Sequence, residues 1–380
     1  MTSETAVANR GNNQLTLFRV VRLVFLILVF TTGCLSILVS QVVIFVIFKF
    51  SPTRRQLGIN YTKKNFVILL TFITNVCTKT QINITHDNSI PEGSFYYAKT
   101  WSGREVVKAK LDHNAILIAN HQIYTDWLFM WWCGYINNVA DRFYIIMKKS
   151  LQQIPLLGWG MTNYDFIFLS RKWELDKEQM TTQLSTLTDE NHWLLVFPEG
   201  TNMSKCRKDI SDKYIEKVGA EPLVHVLLPR IKGLYVCTKA LKGSTDTIYD
   251  ATVAYSGHSP DEFAQDIYGL LATYLYDRSP QSVDIHFRAH KISTALQSVK
   301  FDDSDEDFDE YQKWLFERWS EKDQLMEAYF QTGSFVDKYH ETIKTRLMLN
   351  SKLELFHVYS IVTATTLTLW VLWKVWALFF

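Results

Sequence analysis

The 380 residues set 40 Lys+Arg against 39 Asp+Glu, so the field of the whole chain gives no reason to expect a nucleic-acid partner, and any anion must be held by local groups. Five cysteines, Cys34, Cys77, Cys133, Cys206 and Cys237, lack CxxC or His/Cys ligand spacing, which argues for free thiols in a reducing compartment and against a structural zinc site. The 12 Trp are a high count, and several flank apolar runs, where an amphipathic indole suits a bilayer interface.

In chain order, residues 1–22 form an N-terminal tail. The run from Leu23 to Phe48 then carries no charged side chain and is long enough to cross a hydrocarbon core of about 30 Å. It is too long for the apolar core of a secretory signal, so it is read as a retained spanning helix. Arg10, Arg19 and Arg22 precede it, whereas Lys49, Arg54, Arg55, Lys63 and Lys64 come after it, and this bias puts the chain beyond the helix on the cytosolic side. Phe66 to Cys77 is apolar but too short to span. It is an interfacial or re-entrant segment, one arm of a hairpin, or a buried core helix. Residues 23–80 are thus the N-terminal membrane part.

Residues 81–350 read as one α/β body, with a central sheet flanked by helices. The expected strands are Ala115–Ala119, Phe143–Met147, Phe166–Leu169, Trp193–Phe197, Ala251–Tyr255 and Val283–Phe287. The expected helices are Thr125–Tyr135, Glu174–Leu187, Pro260–Tyr276, Glu310–Ala328 and Val336–Leu347, with Ser259 as cap before Pro260. The acidic run Asp302–Glu310 reads as a solvated linker. Residues 351–380 form a C-terminal anchor, since Phe356–Trp373 is apolar and aromatic-rich, either spanning or interfacial.

The chemistry centres on Asn120-His121-Gln122-Ile123-Tyr124-Thr125-Asp126-Trp127, directly after an apolar strand. A histidine takes a proton from an alcohol near neutral pH, and a carboxylate on its other ring nitrogen fixes the tautomer and stabilises the imidazolium. Five residues of regular helix turn through about 500°, so the two side chains cannot meet if both lie inside the helix. Contact requires His121 in the strand-to-helix turn and Asp126 in the first turn beyond it. The helix amino-terminal N–H groups are then expected to face the reacting centre and to steady an oxyanion. A second signal is Phe197-Pro198-Glu199-Gly200-Thr201, again at the end of an apolar strand.

Taken together, the His-x4-Asp and Phe-Pro-Glu-Gly-Thr motifs resemble those of the 1-acylglycerol-3-phosphate acyltransferase (PlsC-like) family. Phe168-Leu169-Ser170-Arg171 is similar to that family's Phe-Ile-x-Arg block, and Leu228-Pro229 to its final proline block. Lys148 and Ile154-Pro155-Leu156-Leu157-Gly158-Trp159 also resemble the stretch after the first motif. The likeness runs from about Asn114 to Gly233, with one departure: Asp165 stands where the family usually carries glycine. The longer forms of the motifs resemble the endoplasmic-reticulum subgroup that reacylates lysocardiolipin and lysophosphatidylinositol.

The resemblance implies a glycerol-3-phosphate acyltransferase-like fold with a mixed sheet, and acyl transfer from acyl-CoA, a co-substrate rather than a bound cofactor, to a lysophospholipid hydroxyl. It implies that His121 is the base, Asp126 its orienting partner, and Arg171 the ligand of the acceptor phosphate. Lys148 is a further phosphate candidate. Asn120, Pro198, Glu199, Gly200 and Thr201 would shape the acceptor pocket, Glu199 bonding a glycerol hydroxyl or a positioning cation. The absence of a Gly-x-Ser-x-Gly elbow favours direct transfer without an acyl-enzyme. A coenzyme-A-independent transacylase and a catalytically silent lipid-binding protein of the same fold are the alternatives. No metal or nucleic-acid partner is expected, no protein partner can be inferred from the sequence, and the endoplasmic reticulum, with a cytosolic catalytic body, is the expected location.

Overall fold

The structure, a computed structural model, describes residues 16–188, 191–335 and 341–379. The chain opens with an antiparallel helical hairpin, α1 (Leu17–Ile47) and α2 (Pro52–Cys77). Small residues let the two helices approach: a side chain at Gly33 would run into Leu69, and one at Gly58 into Ile44. The second apolar segment, Phe66–Cys77, is therefore the far half of a hairpin arm, buried between α1 and the body of the protein.

The body continues through β1 (Gln81–His86), β2 (Phe95–Lys99), β3 (Glu105–Ala109), β4 (Asn114–Ala119), α3 (Asp126–Ile136), β5 (Phe143–Lys148), α4 (Leu157–Asn163), β6 (Ile167–Leu169), α5 (Trp173–Ser185), β7 (His192–Val196), α6 (Lys205–Val218), α7 (Ile231–Leu241) and β8 (Thr247–Tyr255). It ends with α8 (Ala264–Ile267), α9 (Leu270–Tyr274), β9 (Ser282–Lys291), α10 (Ile292–Ala295), α11 (Asp305–Thr332), β10 (Ile343–Arg346) and α12 (His357–Phe379). β2 and β3 form a separate antiparallel ribbon, and the other strands make one mixed sheet in the order β10-β1-β9-β8-β4-β7-β5-β6.

From β8 to β6 the strands run parallel, so their carboxyl ends share one edge. Both faces of this part are covered, which explains the unbroken apolar runs of β4 and β7. Ala115, Leu117 and Ala119 pack toward α2 and α3, while Ile116 and Ile118 pack toward α5, α7 and α11.

Several expectations need correction. β8 begins at Thr247 and β9 extends to Lys291, beyond the apolar cores read from sequence, because α11 supplies partners for the polar residues Asp250 and Arg288 inside them. Pro260–Tyr276 is not one helix but the short α8 and α9, separated at Gly269. The acidic run is no linker. Ser304 caps α11 by accepting the N–H of Asp307 at 3.3 Å, and the acidic first turn suits the positive end of the helix. Residues 336–340 of the expected helix Val336–Leu347 lie outside the described residues. Ile343–Arg346 is a strand, drawn into β structure by the open edge of β1. Among the described residues two helical stretches, Leu17–Ile47 and Lys352–Leu378, are long and apolar enough to cross a membrane.

Candidate active site

Five parallel strands deliver the motif residues to the same edge of the sheet, the edge where ligands bind in open α/β folds. His121 lies in the turn after β4, and Asp126 is the first residue of α3, the arrangement that the spacing demanded. The His121 Nδ1 to Asp126 Oδ2 distance is 2.8 Å. Asp126 is fully buried, whereas the His121 side chain retains 18 % exposure, so only the imidazole is open to a reactant. The same Oδ2 accepts the N–H groups of Gln122 at 2.6 Å and Ile123 at 3.0 Å, and the Tyr255 hydroxyl at the end of β8 donates to Oδ1. Every partner of this carboxylate is a donor, so Nδ1 carries the proton and Nε2 is left with the lone pair a base needs. Burial, and then the Asp126 charge, push the Tyr255 phenol well above its ordinary range, which keeps it a donor.

One expectation fails here. The Gln122 and Ile123 N–H groups are turned onto Asp126, and that of Tyr124 onto Gln265 Oε1 at 2.5 Å. The N–H groups of Gln122 and Ile123 therefore hold the dyad in place, and these two and that of Tyr124 are not aimed at a reacting carbonyl.

The Phe197–Thr201 turn after β7 closes over this dyad. The Phe197 ring stacks on the imidazole with centroids 4.3 Å apart. Glu199 is buried beneath the site: Oε2 accepts the His121 N–H at 3.2 Å and Oε1 the Trp319 indole N–H from α11 at 3.4 Å. Burial pushes its carboxyl up from 4.5 to about 8, against those two hydrogen bonds, so the acid form dominates at neutral pH. Pro198 is buried and its carbonyl accepts the Arg230 N–H at 2.8 Å. Gly200, at φ +70°, takes a left-handed turn that suits glycine, and Thr201 is half-buried beside it.

The remaining candidates separate into groups inside and outside this centre. Asn120 is fully buried and pairs with the Val253 backbone through its amide, the oxygen accepting at 2.8 Å and the nitrogen donating at 2.9 Å, so it ties β4 to β8. Arg171 is exposed and reaches the Gly200 carbonyl at 3.4 Å. Its φ of +68° is unusual for a side-chain-bearing residue, and such strain gathers at functional sites. Asp176 supports that turn by accepting both the N–H and the hydroxyl of Ser170 at 2.8 Å. Lys148, also exposed, ends β5 in register with Leu169, on the Arg171 side of the edge. Sequence reasoning passed over Tyr255, Trp319 and Arg230. Only Arg230 had a local signal, since it directly follows the Leu228-Pro229 block.

Comparison with known proteins finds matches along most of the chain. A family model described as "Acyltransferase" matches residues 84–256, and one described as "Acyltransferase C-terminus" matches residues 274–353. The 2-acyl-1-lysophosphatidylinositol acyltransferase of Saccharomyces cerevisiae is 36% identical over 377 residues, covering 89% of this chain and 92% of the relative. Lysocardiolipin acyltransferase 1 of Gallus gallus is 30% identical over 233 residues, 60% of this chain and 57% of the relative. The 1-acyl-sn-glycerol-3-phosphate acyltransferase delta of Homo sapiens is 30% identical over 251 residues, 62% and 60% of the two chains.

Proposed function

The chain belongs to the PlsC-like glycerolipid acyltransferase family and is a lysophospholipid O-acyltransferase, and from that premise we propose how its site works and on what. The donor is an acyl-CoA thioester, and the acceptor is a lysophospholipid, first of all lysophosphatidylinositol. The relative named for that substrate supports this choice by being similar along nearly the whole chain.

The observation that carries the mechanism is the 2.8 Å contact between His121 Nδ1 and Asp126, which leaves Nε2 unengaged by the dyad. Nε2 takes the proton of the acceptor hydroxyl as its oxygen attacks the thioester carbonyl. The tetrahedral intermediate collapses by breaking the C–S bond, and the sulfur leaves as a thiolate that collects a proton. A thiol pKa of about 8.5 makes this a ready leaving group without a strong acid. Asp126 holds the tautomer and balances the imidazolium, and Tyr255 steadies Asp126. Arg171 receives the acceptor phosphate, with Lys148 as an outlying charge. Asn120, Pro198, Glu199, Gly200 and Thr201 form the frame that fixes the turn around the imidazole.

The acceptor is a lipid, and a membrane-facing site suits it. Arg19 and Arg22 of α1 bond Asp277, in the connection between β8 and β9 at the catalytic edge, and the apolar residues around them, such as Leu17, Phe18, Val21 and Phe25, are exposed. On this reading lysolipid enters from the bilayer at the endoplasmic reticulum, and because Arg19 and Arg22 are bonded to the body, the charge bias across α1 does not set which face the body lies on. The test is purified protein offered a panel of lysophospholipids with acyl-CoA, with products identified by mass spectrometry. Diacyl product from lysophosphatidylinositol is expected, and conversion of no acceptor at any acyl length overturns the reading.

A further inference from the structure

Two guanidinium groups converge on Gly200. Arg171 Nη2 lies 3.4 Å from its carbonyl oxygen. From the other motif, Arg230 lies against its α-carbon: a methyl group built there would sit 3.4 Å from both Cδ and Nε of Arg230. Among the described residues neither guanidinium forms an ion pair with a carboxylate. Two like charges gathered at an exposed glycine, without an internal counter-ion, make a favourable place for an anion.

The segment that carries Arg230 is firmly held although the side chain itself is exposed. Asp323 of α11 accepts the N–H groups of Val224 at 3.0 Å, His225 at 2.6 Å and Val226 at 3.2 Å, and Ser211 accepts that of Leu228 at 2.9 Å. The Arg230 N–H is itself fixed to the Pro198 carbonyl at 2.8 Å, so the arginine moves with the Phe197–Thr201 turn. Gly200 is bonded to Glu199, whose carboxyl holds the His121 N–H. An anion at Gly200 is therefore tied, through one residue, to the base.

Resting on the acceptor proposed above, we infer that Arg230 is a second phosphate ligand, acting with Arg171 across Gly200 to grip the phosphodiester of the lysophospholipid. A guanidinium from each motif contacts one of the two non-ester oxygens of the phosphodiester, so the acceptor is fixed in orientation as well as position. The absence of a side chain at Gly200 lets the phosphate approach the backbone between them. The anion is a phosphate in either substrate, and the assignment here is to the acceptor and not to the phosphates of coenzyme A.

The test uses the full-length purified enzyme with lysophosphatidylinositol and acyl-CoA, comparing wild type with Arg230→Ala, Arg230→Lys and the distant surface control Lys217→Ala. Loss of a charge-assisted contact raises the KM for the lysophospholipid by about 10- to 100-fold in Arg230→Ala, with the KM for acyl-CoA unchanged. Arg230→Lys recovers part of this, having the charge without the fork, and Lys217→Ala matches wild type. The partial rescue separates a binding role from a folding defect. An unchanged acceptor KM in Arg230→Ala, or a rise confined to the acyl-CoA KM, overturns the inference while leaving the acyltransferase reading intact. A wild type inactive on every lysophospholipid overturns both.

Discussion

The Tyr255 hydroxyl donates to the Asp126 oxygen that His121 does not use, so the dyad has a third member held at the end of a different strand. Replacing it by phenylalanine removes a hydrogen bond to a charged group without removing the ring, which costs on the order of tenfold in kcat with little change in KM. Steady-state kinetics check this, and a kcat equal to wild type would leave Tyr255 a packing residue. Glu199 makes a different prediction. Its carboxyl is raised from 4.5 in ordinary surroundings to about 8 by burial. Folding therefore favours the protonated form, and this group's stabilising contribution, complete below pH 4.5, is lost as pH rises through about 8. Thermal unfolding across that window falls more steeply for wild type than for Glu199→Gln; parallel curves would contradict the assignment. At this scale the sequence reveals His121 and Asp126, because their spacing alone demands a turn followed by a helix start. Tyr255 is 129 residues from Asp126, and no local pattern points to such a partner.

α11 is the element whose role was least visible beforehand. Its acidic start, Asp302–Glu310, looks like a charged linker, yet the Asp307 carboxylate accepts the Tyr235 hydroxyl at 2.6 Å and is buried. Lys322, in the charged stretch Ser320–Asp323, is fully buried, its ammonium bonding Asp250, the Ala251 carbonyl at 2.7 Å and Thr252 at 3.1 Å. Burial opposes ionisation of Asp250, but Lys322 and Arg288 prevail and hold its carboxyl well below the usual range. The same helix carries Trp319 to Glu199 and Asp323 to the Arg230 segment, so it braces both motifs from behind. Lys322→Ala leaves the buried Asp250 carboxylate to Arg288 alone, at 2.9 Å, and is expected to cost about 3 kcal/mol in chemical denaturation, the low end for a broken buried pair. A loss below about 1 kcal/mol would mean that water or a shifted side chain replaces the ammonium. The strands β4, β5, β6 and β7 were legible because burial on both faces makes their central residues apolar. β10 and the outer parts of β8 and β9 were not, because their pairing depends on neighbours remote in sequence.

For the molecule as a whole, the hydrophobic parts and the catalytic edge are one assembly. α1 touches the body near both ends, through Arg22 with Asp277 and through Gln41 with Asn163 at 2.9 Å, so it lies along the fold and presents one apolar side outward. α12 joins it where Ser36 donates to the Val358 carbonyl at 2.8 Å, and beyond that contact its apolar and tryptophan side chains are largely exposed. The sequence marked both helices by composition but gave no means of knowing that the first lies against the body, since that depends on polar contacts from Asp277 and Asn163.

The claim on which all of this depends is that His121 activates a lipid hydroxyl for direct attack on a thioester. Thiolate release from acyl-CoA, followed with and without lysophospholipid in wild type and in a folded His121→Ala variant, tests it most directly. The account predicts release that requires the acceptor and falls by about 10²- to 10⁴-fold in the variant. Release at the wild-type rate without His121, or without any acceptor, would contradict it.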